Sequence, residues 1–182
     1  MKTRLYISKE NLKYNVEYIK KNIKVGKKII AMVKANAYGA GDVLVANYLQ
    51  EIGITDFGVA NIDEALRLRN NNITGMILIT AVCTQDEINF AIENDISLSV
   101  STIDNLYEIN EKAKQINTIA KVHLKIDTGM TRLGFLNDEI KNNITEILKL
   151  ENISIEGIYT HLSCADIDEE YTKEQIINSL DA

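Results

Sequence analysis

The residues of this chain that could do chemistry sit where apolar runs end. Lys34 follows the run IIAMV, Lys125 and Asp127 end KVHLKID, Arg132 lies in the next loop, TGMTR, and His161 closes SIEGIYTH. A lysine at the mouth of an apolar strand snorkels to water, pairs with a carboxylate, or performs chemistry. Desolvation favours the neutral amine, the form that adds to a carbonyl to make a Schiff base. Arg132 could grip an anion through its planar fork of donors, or serve as a loop cation. His161 could be catalytic or structural. His123, in the middle of KVHLK, reads as a packing residue, and Lys125, two residues on, shares its face.

The elements that must position these groups follow from periodicity. Ser8 is a plausible N-cap for a helix bearing Leu12, Val16, Ile19 and Ile23, ended by Gly26. KKIIAMVK then reads as a strand ending at Lys34. Further strands are expected at 57–60, 75–80, 97–100, 121–127 and 154–161. Helices are expected between them, around Val43–Ile52, Ala65–Leu68, Ile88–Ile92, Ile103–Ala113 and Ile140–Leu148, with a last one over Gln175–Leu180. Asn61 with Glu64 resembles a capping box, and Thr84 with Glu87 another.

Six β-then-α units predict a parallel sheet with helical crossovers. Both an open doubly wound sheet and a (β/α)8 TIM barrel fit. A barrel usually spans about 250 residues, so the barrel reading makes these 182 residues an incomplete one. In either closure, ligands bind at the carboxyl ends of the strands, where Lys34, Lys125, Asp127 and His161 fall.

Composition narrows the classes. A net charge of −6 gives no support for a nucleic-acid face. No apolar run approaches the length of about eighteen residues that spans a bilayer, and MKTRLYISKE lacks a signal-peptide stretch, which predicts a cytoplasmic protein. Cys83 and Cys164 form no metal-spaced cluster and are expected as free thiols. Tyr38–Gly41, YGAG, lacks the spacing of a Rossmann or P-loop phosphate loop.

Three segments carry a resemblance. MVKANAYGAG (Met32–Gly41), LKIDTGMTRLGF (Leu124–Phe135) and GIYTHLSCAD (Gly157–Asp166) are similar, in order and spacing, to the signatures of the alanine racemase family. The resemblance implies the N-terminal barrel of a fold-III pyridoxal-phosphate enzyme across essentially the whole chain. It assigns Lys34 as the cofactor lysine and one of two catalytic bases, with Tyr38 at the cofactor phosphate. It places Arg132 near the cofactor's phenolic oxygen and the substrate carboxylate, His161 against the pyridine ring, and Met130 in the pocket lining. Lys125 matches a lysine carbamylated in some members.

The implied function is interconversion of L- and D-alanine, supplying D-alanine for peptidoglycan in a cytoplasmic homodimer. Racemisation of serine or another small amino acid, or a non-catalytic pyridoxal-phosphate-binding barrel, are the alternatives. Ala40 stands where the family usually has histidine, and Thr80 where an aliphatic residue is common. The resemblance also implies two further barrel units and a C-terminal β domain that carries the opposing tyrosine base. These residues by themselves are therefore not expected to racemise alanine at a normal rate, nor to form a strongly stable monomer, since the first and last strands would have open edges.

Overall fold

The computed structural model describes residues 5–181, which fall into two compact units, one reaching Thr80 and the other starting at Ala81. Each is a run of parallel βα units, as the sequence pattern requires.

The first unit contains α1 (Lys9–Asn22), β1 (Ile30–Met32), α2 (Lys34–Tyr38), α3 (Asp42–Glu51), β2 (Asp56–Val59), α4 (Ile62–Arg69) and β3 (Ile77–Ile79). The Ser8 side chain caps α1, accepting from the Asn11 N–H. β1 pairs with β2, and β2 with β3, all parallel. Phe57, Val59, Ile77 and Ile79 of the strands are buried, as are Ala46 and Leu49 of α3 and Ala65 and Leu68 of α4, and these apolar residues make up the unit's core. The first apolar run departs from expectation. An apolar run of this kind predicts a buried strand reaching Lys34, whereas β1 ends at Met32, and Ile30 and Met32 are 41% and 40% exposed. Both side chains lie on the sheet face where Gly58 stands in the neighbouring strand, and a glycine offers no side chain to cover them, while Ala31 points to the opposite face.

The second unit contains α5 (Gln85–Glu93), β4 (Ser97–Val100), α6 (Ile103–Gln115), β5 (Ala120–Lys125), α7 (Asn137–Ile147), β6 (Ile153–Tyr159) and α8 (Glu169–Asp181). At the second capping-box motif, the Thr84 N–H and hydroxyl both donate to the Glu87 carboxylate, at 2.7 and 2.8 Å, which is the glutamate half of a capping box. β4, β5 and β6 are parallel and adjacent in that order. Leu98, Val100, Val122, Leu124 and Ile126 are buried, as are Ile88, Leu106, Ile109 and Ile140 of the helices. Both cysteines are free, as expected. Among the described residues no helix is long and apolar enough to cross a membrane.

A bulge breaks the β5–β6 register. Val122 faces Ile155, but His123 faces Gly157, leaving Glu156 as the extra residue. The His123 ring occupies the space a side chain at 157 would need: a Cβ there would lie 2.7 Å from Nδ1. His123 is a buried packing residue, as read, and its Nε2 lies 3.9 Å from the Glu156 carboxylate. Burial pushes the His123 imidazole below its ordinary value of 6.5, against the opposing pull of Glu156.

This has a consequence for acid stability. The folded value lies below the unfolded one, so the unfolded chain takes up the proton first as pH falls. Stability is then fully present above about 6.5 and decreases below it, until the folded form also protonates. His123→Gln should remove that part of the profile. Urea midpoints measured from pH 8 downward test it, and an unchanged slope just below 6.5 in the variant would refute it.

Candidate active site

Lys34 opens a segment whose backbone winds the wrong way. The ladder of β1 ends with the Val33 N–H donating to the Gly58 carbonyl at 2.9 Å. Ala35, Asn36, Ala37 and Tyr38 then take φ values of 52°, 56°, 51° and 53°. With ψ of 44–47° at Ala35, Asn36 and Ala37, α2 is a left-handed turn built without glycine. Such a conformation costs roughly 1–2 kcal/mol per residue, and it persists only where surrounding contacts over-determine it.

Those contacts are present. Within the turn, the Ala37 N–H reaches the Val33 carbonyl at 2.8 Å and the Gly41 N–H reaches the Asn36 carbonyl at 2.9 Å. The Asn36 side-chain oxygen accepts from the Asp42 N–H at 3.1 Å. From outside, the Glu64 carboxylate accepts the Ala35 N–H at 2.7 Å. Arg67 donates to the buried Asp42 carboxylate from Nε at 2.8 Å and Nη2 at 2.6 Å. That hydrogen bond to Asp42 raises the Arg67 guanidinium above its ordinary range, against burial. Lys34 is half-buried at the start of the turn, and Tyr38 is exposed at its end.

If the turn is strained in this way, glycine should relieve it. Ala37→Gly is expected to stabilise the fold by up to about 1 kcal/mol, because removal of the Cβ penalty outweighs the greater backbone entropy glycine loses on folding. A urea midpoint below the parent's would contradict this.

The spacing of Asn61 and Glu64 predicts a capping box, of which only the Asn61 half forms. The Asn61 side chain accepts the Glu64 N–H at 3.0 Å, but the Glu64 carboxylate does not return to Asn61. Its two oxygens go to the N–H groups of Ala35 and Ala60. No local pattern signals this, because the partner at Ala35 lies 29 residues away.

In the second unit the remaining predicted residues gather beyond the ends of β5 and β6. Lys125, the last residue of β5, is buried, donates to the Ile126 carbonyl at 3.2 Å and lies 5.5 Å from the Tyr159 ring centre. Burial pushes its amine below the usual lysine range. Asp127 opposes that shift and Arg132 adds to it. Tyr159 shares a 2.6 Å hydrogen bond with Ser99, and burial raises its phenol, partly offset by that bond.

The loop after β5 is organised by Asp127. Burial disfavours its charge, but the N–H groups of Thr131 and Gly129, at 2.9 and 3.0 Å, hold the carboxyl below its ordinary range. The loop closes where Phe135, fully buried, exchanges backbone bonds with Lys125 and Asp127. Arg132 is thereby displayed, exposed, on a fixed loop, and Met130 is half-buried beside it in sequence. His161, also exposed, follows β6.

α8 ties these loops together. Gln175 is completely buried, and its Nε2 donates to the Thr128 hydroxyl and the His161 carbonyl, each at 3.3 Å. Its Oε1 accepts from the Ser163 N–H at 2.9 Å, and Tyr171 donates its hydroxyl to the Gly129 carbonyl at 2.7 Å. Gln175, Tyr171, Tyr159 and Ser99 were not anticipated. Nothing in the sequence marks Gln175 as the buried residue of α8 in preference to Ile176, Ile177 and Leu180, which are exposed.

Residues 7–182 match the family described as alanine racemase, N-terminal domain. An alanine racemase of Methanococcus maripaludis is 41% identical over 166 residues, 90% of this chain and 44% of the relative. One of Fusobacterium nucleatum is 39% identical over 180 residues, 97% and 49% respectively. The chain thus spans about half the length of the curated relatives it matches. Among solved structures, alanine racemase of Clostridium difficile 630 in complex with cycloserine superposes with a TM-score of 0.90 at 38% identity, covering 94% of this chain and 48% of that one. A histidine racemase of Leuconostoc mesenteroides superposes with a TM-score of 0.86 at 29% identity, covering 93% and 46%. The parallel βα units, the superposition and the family match agree: this chain belongs to the alanine racemase N-terminal domain family and has its barrel-type α/β fold.

Proposed function

We propose that this chain carries the cofactor-lysine part of a pyridoxal 5'-phosphate-dependent racemase that interconverts L- and D-alanine. The observation that carries the reading is Lys34, held at the carboxyl end of β1 on a left-handed turn fixed from several sides. The residues this reading calls on suit the cofactor in kind: a primary amine, a phenol, a guanidinium and an imidazole, each in a segment that follows a parallel strand. When bound, the group supplies an electron sink that acidifies the substrate α-carbon.

In this reading Lys34 would hold the cofactor covalently and, once the substrate amine has displaced it, its freed amine would take the α-proton on one face of the substrate, as the base for the D-isomer. Tyr38 binds the phosphate. Arg132 would bind the substrate carboxylate in a bidentate manner and serve the phenolic oxygen of the cofactor, His161 would pack against its ring, and Met130 would line the pocket. Lys125 orients Arg132. Its lowered amine pKa, caused chiefly by burial, favours the neutral form that carbamylation requires. The whole enzyme is a cytoplasmic homodimer whose partner for Lys34 is a second base on the opposite face.

The histidine racemase likeness favours keeping a second reading, in which the amino acid is other than alanine. The test is covalent capture. Incubation with pyridoxal phosphate followed by borohydride should place one cofactor mass on the peptide containing Lys34. Release of labelled proton from D-alanine, compared with D-serine and D-histidine, by the enzyme containing this domain then reads the substrate. Capture spread evenly over surface lysines would refute the assignment.

A further inference from the structure

Helix α4 grips the Lys34 turn at both ends. Glu64 and Arg67 are three residues apart and so share a face of the helix. Glu64 reaches the start of the turn through the Ala35 N–H, and Arg67 reaches its end through Asp42, whose own N–H is held by Asn36. We propose that Glu64 is a positioning residue for Lys34. Its carboxylate fixes the peptide plane that follows Lys34 and thereby the direction in which the amine is presented. This rests on Lys34 being the cofactor lysine.

Three observations carry it. Glu64 is only 7% exposed, and a carboxylate is retained at such a position when hydrogen bonds compensate for lost water. Both of its oxygens are committed, one to Ala35 at 2.7 Å and the other to Ala60 at 2.8 Å. Those two N–H groups belong to residues just beyond the ends of the neighbouring strands β1 and β2, so one side chain ties the Lys34 turn to the strand beside it. Finally, the carboxylate forgoes the local capping role on its own helix, where Asn61 stands ready as the N-cap. A glutamine could accept only one of the two N–H groups and would turn its NH2 against the other.

The test compares the parent chain with Glu64→Gln and Glu64→Ala. Amide exchange is followed by NMR without cofactor, and the rate of pyridoxal phosphate capture at Lys34 is followed by borohydride trapping and peptide mass. In the variants the Ala35 and Ala60 amides should exchange about tenfold faster or more, while the Leu78 amide on β3 keeps its protection. Capture at Lys34 should slow by about tenfold or more, with the background on surface lysines unchanged. Global loosening would move Leu78 as well, which would refute positioning in favour of plain stability. Should the alanine variant fail to fold, the glutamine variant, of nearly equal volume, decides. Faster Ala35 exchange with undiminished capture would sink the proposal and leave Lys34 as the cofactor lysine. A parent chain that captures no cofactor at Lys34 would sink both.

Discussion

Lys34→Ala abolishes specific capture of pyridoxal phosphate by this chain, whereas Lys125→Met leaves capture in place. Both lysines lie at the carboxyl ends of strands, so position alone does not separate them. Their surroundings do. Lys125 is buried, bonded to the Ile126 carbonyl and set against the Tyr159 ring, which leaves its amine little access. Lys34 is half-buried on a turn whose backbone is held by Glu64, Asn36 and Asp42. None of those bonds involves the Lys34 side chain, so Lys34→Ala should leave stability within about 0.5 kcal/mol of the parent. The loss of capture is then chemical and not a failure to fold. Peptide mapping after borohydride reduction checks it, with surface lysines as internal background. Persistence of one stoichiometric label after Lys34→Ala would assign the cofactor elsewhere.

Gly134→Ala should be among the most destabilising single substitutions in the second unit. Two penalties act at once. Gly134 has φ of 131°, which side chains rarely adopt, and a Cβ there would lie 2.5 Å from the Asp127 nitrogen and 2.7 Å from the Ile126 carbonyl carbon. Both of those are backbone atoms at the end of β5, so no side chain can swing away. Conformational strain of about 1–3 kcal/mol and overpacking of about 1–3 kcal/mol combine, and the displaced Phe135 would break its bonds to Lys125 and Asp127. Gly39→Ala is the control: its φ of 92° is also unfavourable, but nothing lies within 4 Å of the added carbon. Urea denaturation of both should show Gly134→Ala shifted to clearly lower midpoint, with Gly39→Ala much closer to the parent. Equal shifts would mean that the steric term at Gly134 is negligible. Loosening of this loop should also free Arg132, so substrate binding by the whole enzyme should weaken even where the variant remains folded.

The sequence by itself determined the parallel α/β class, the alternation of six strands with amphipathic helices, and the caps at Ser8 and Thr84. Each of these is written locally: the period of the apolar residues sets the type of element, and the orphan N–H groups at a helix start find a side chain within a few residues. The ends of the apolar runs also located Lys34, Lys125 and His161 at strand ends and Arg132 in the loop that follows the fifth strand. Tertiary structure decided the rest. The left-handed winding of Ala35–Tyr38 is foreign to the propensities of alanine and tyrosine, and it exists because Glu64 and Asp42 hold it from outside. The bulge that leaves Glu156 over, and the space at Gly157 taken by the His123 ring, come from pairing β5 with β6. Gln175 becomes a buried bridge only when α8 lies across the loops after β5 and β6. The physical reason is common to all three. A backbone N–H or a polar side chain must find a partner once it is buried, and which distant group supplies that partner is set by how elements pack, which residue spacing alone does not encode.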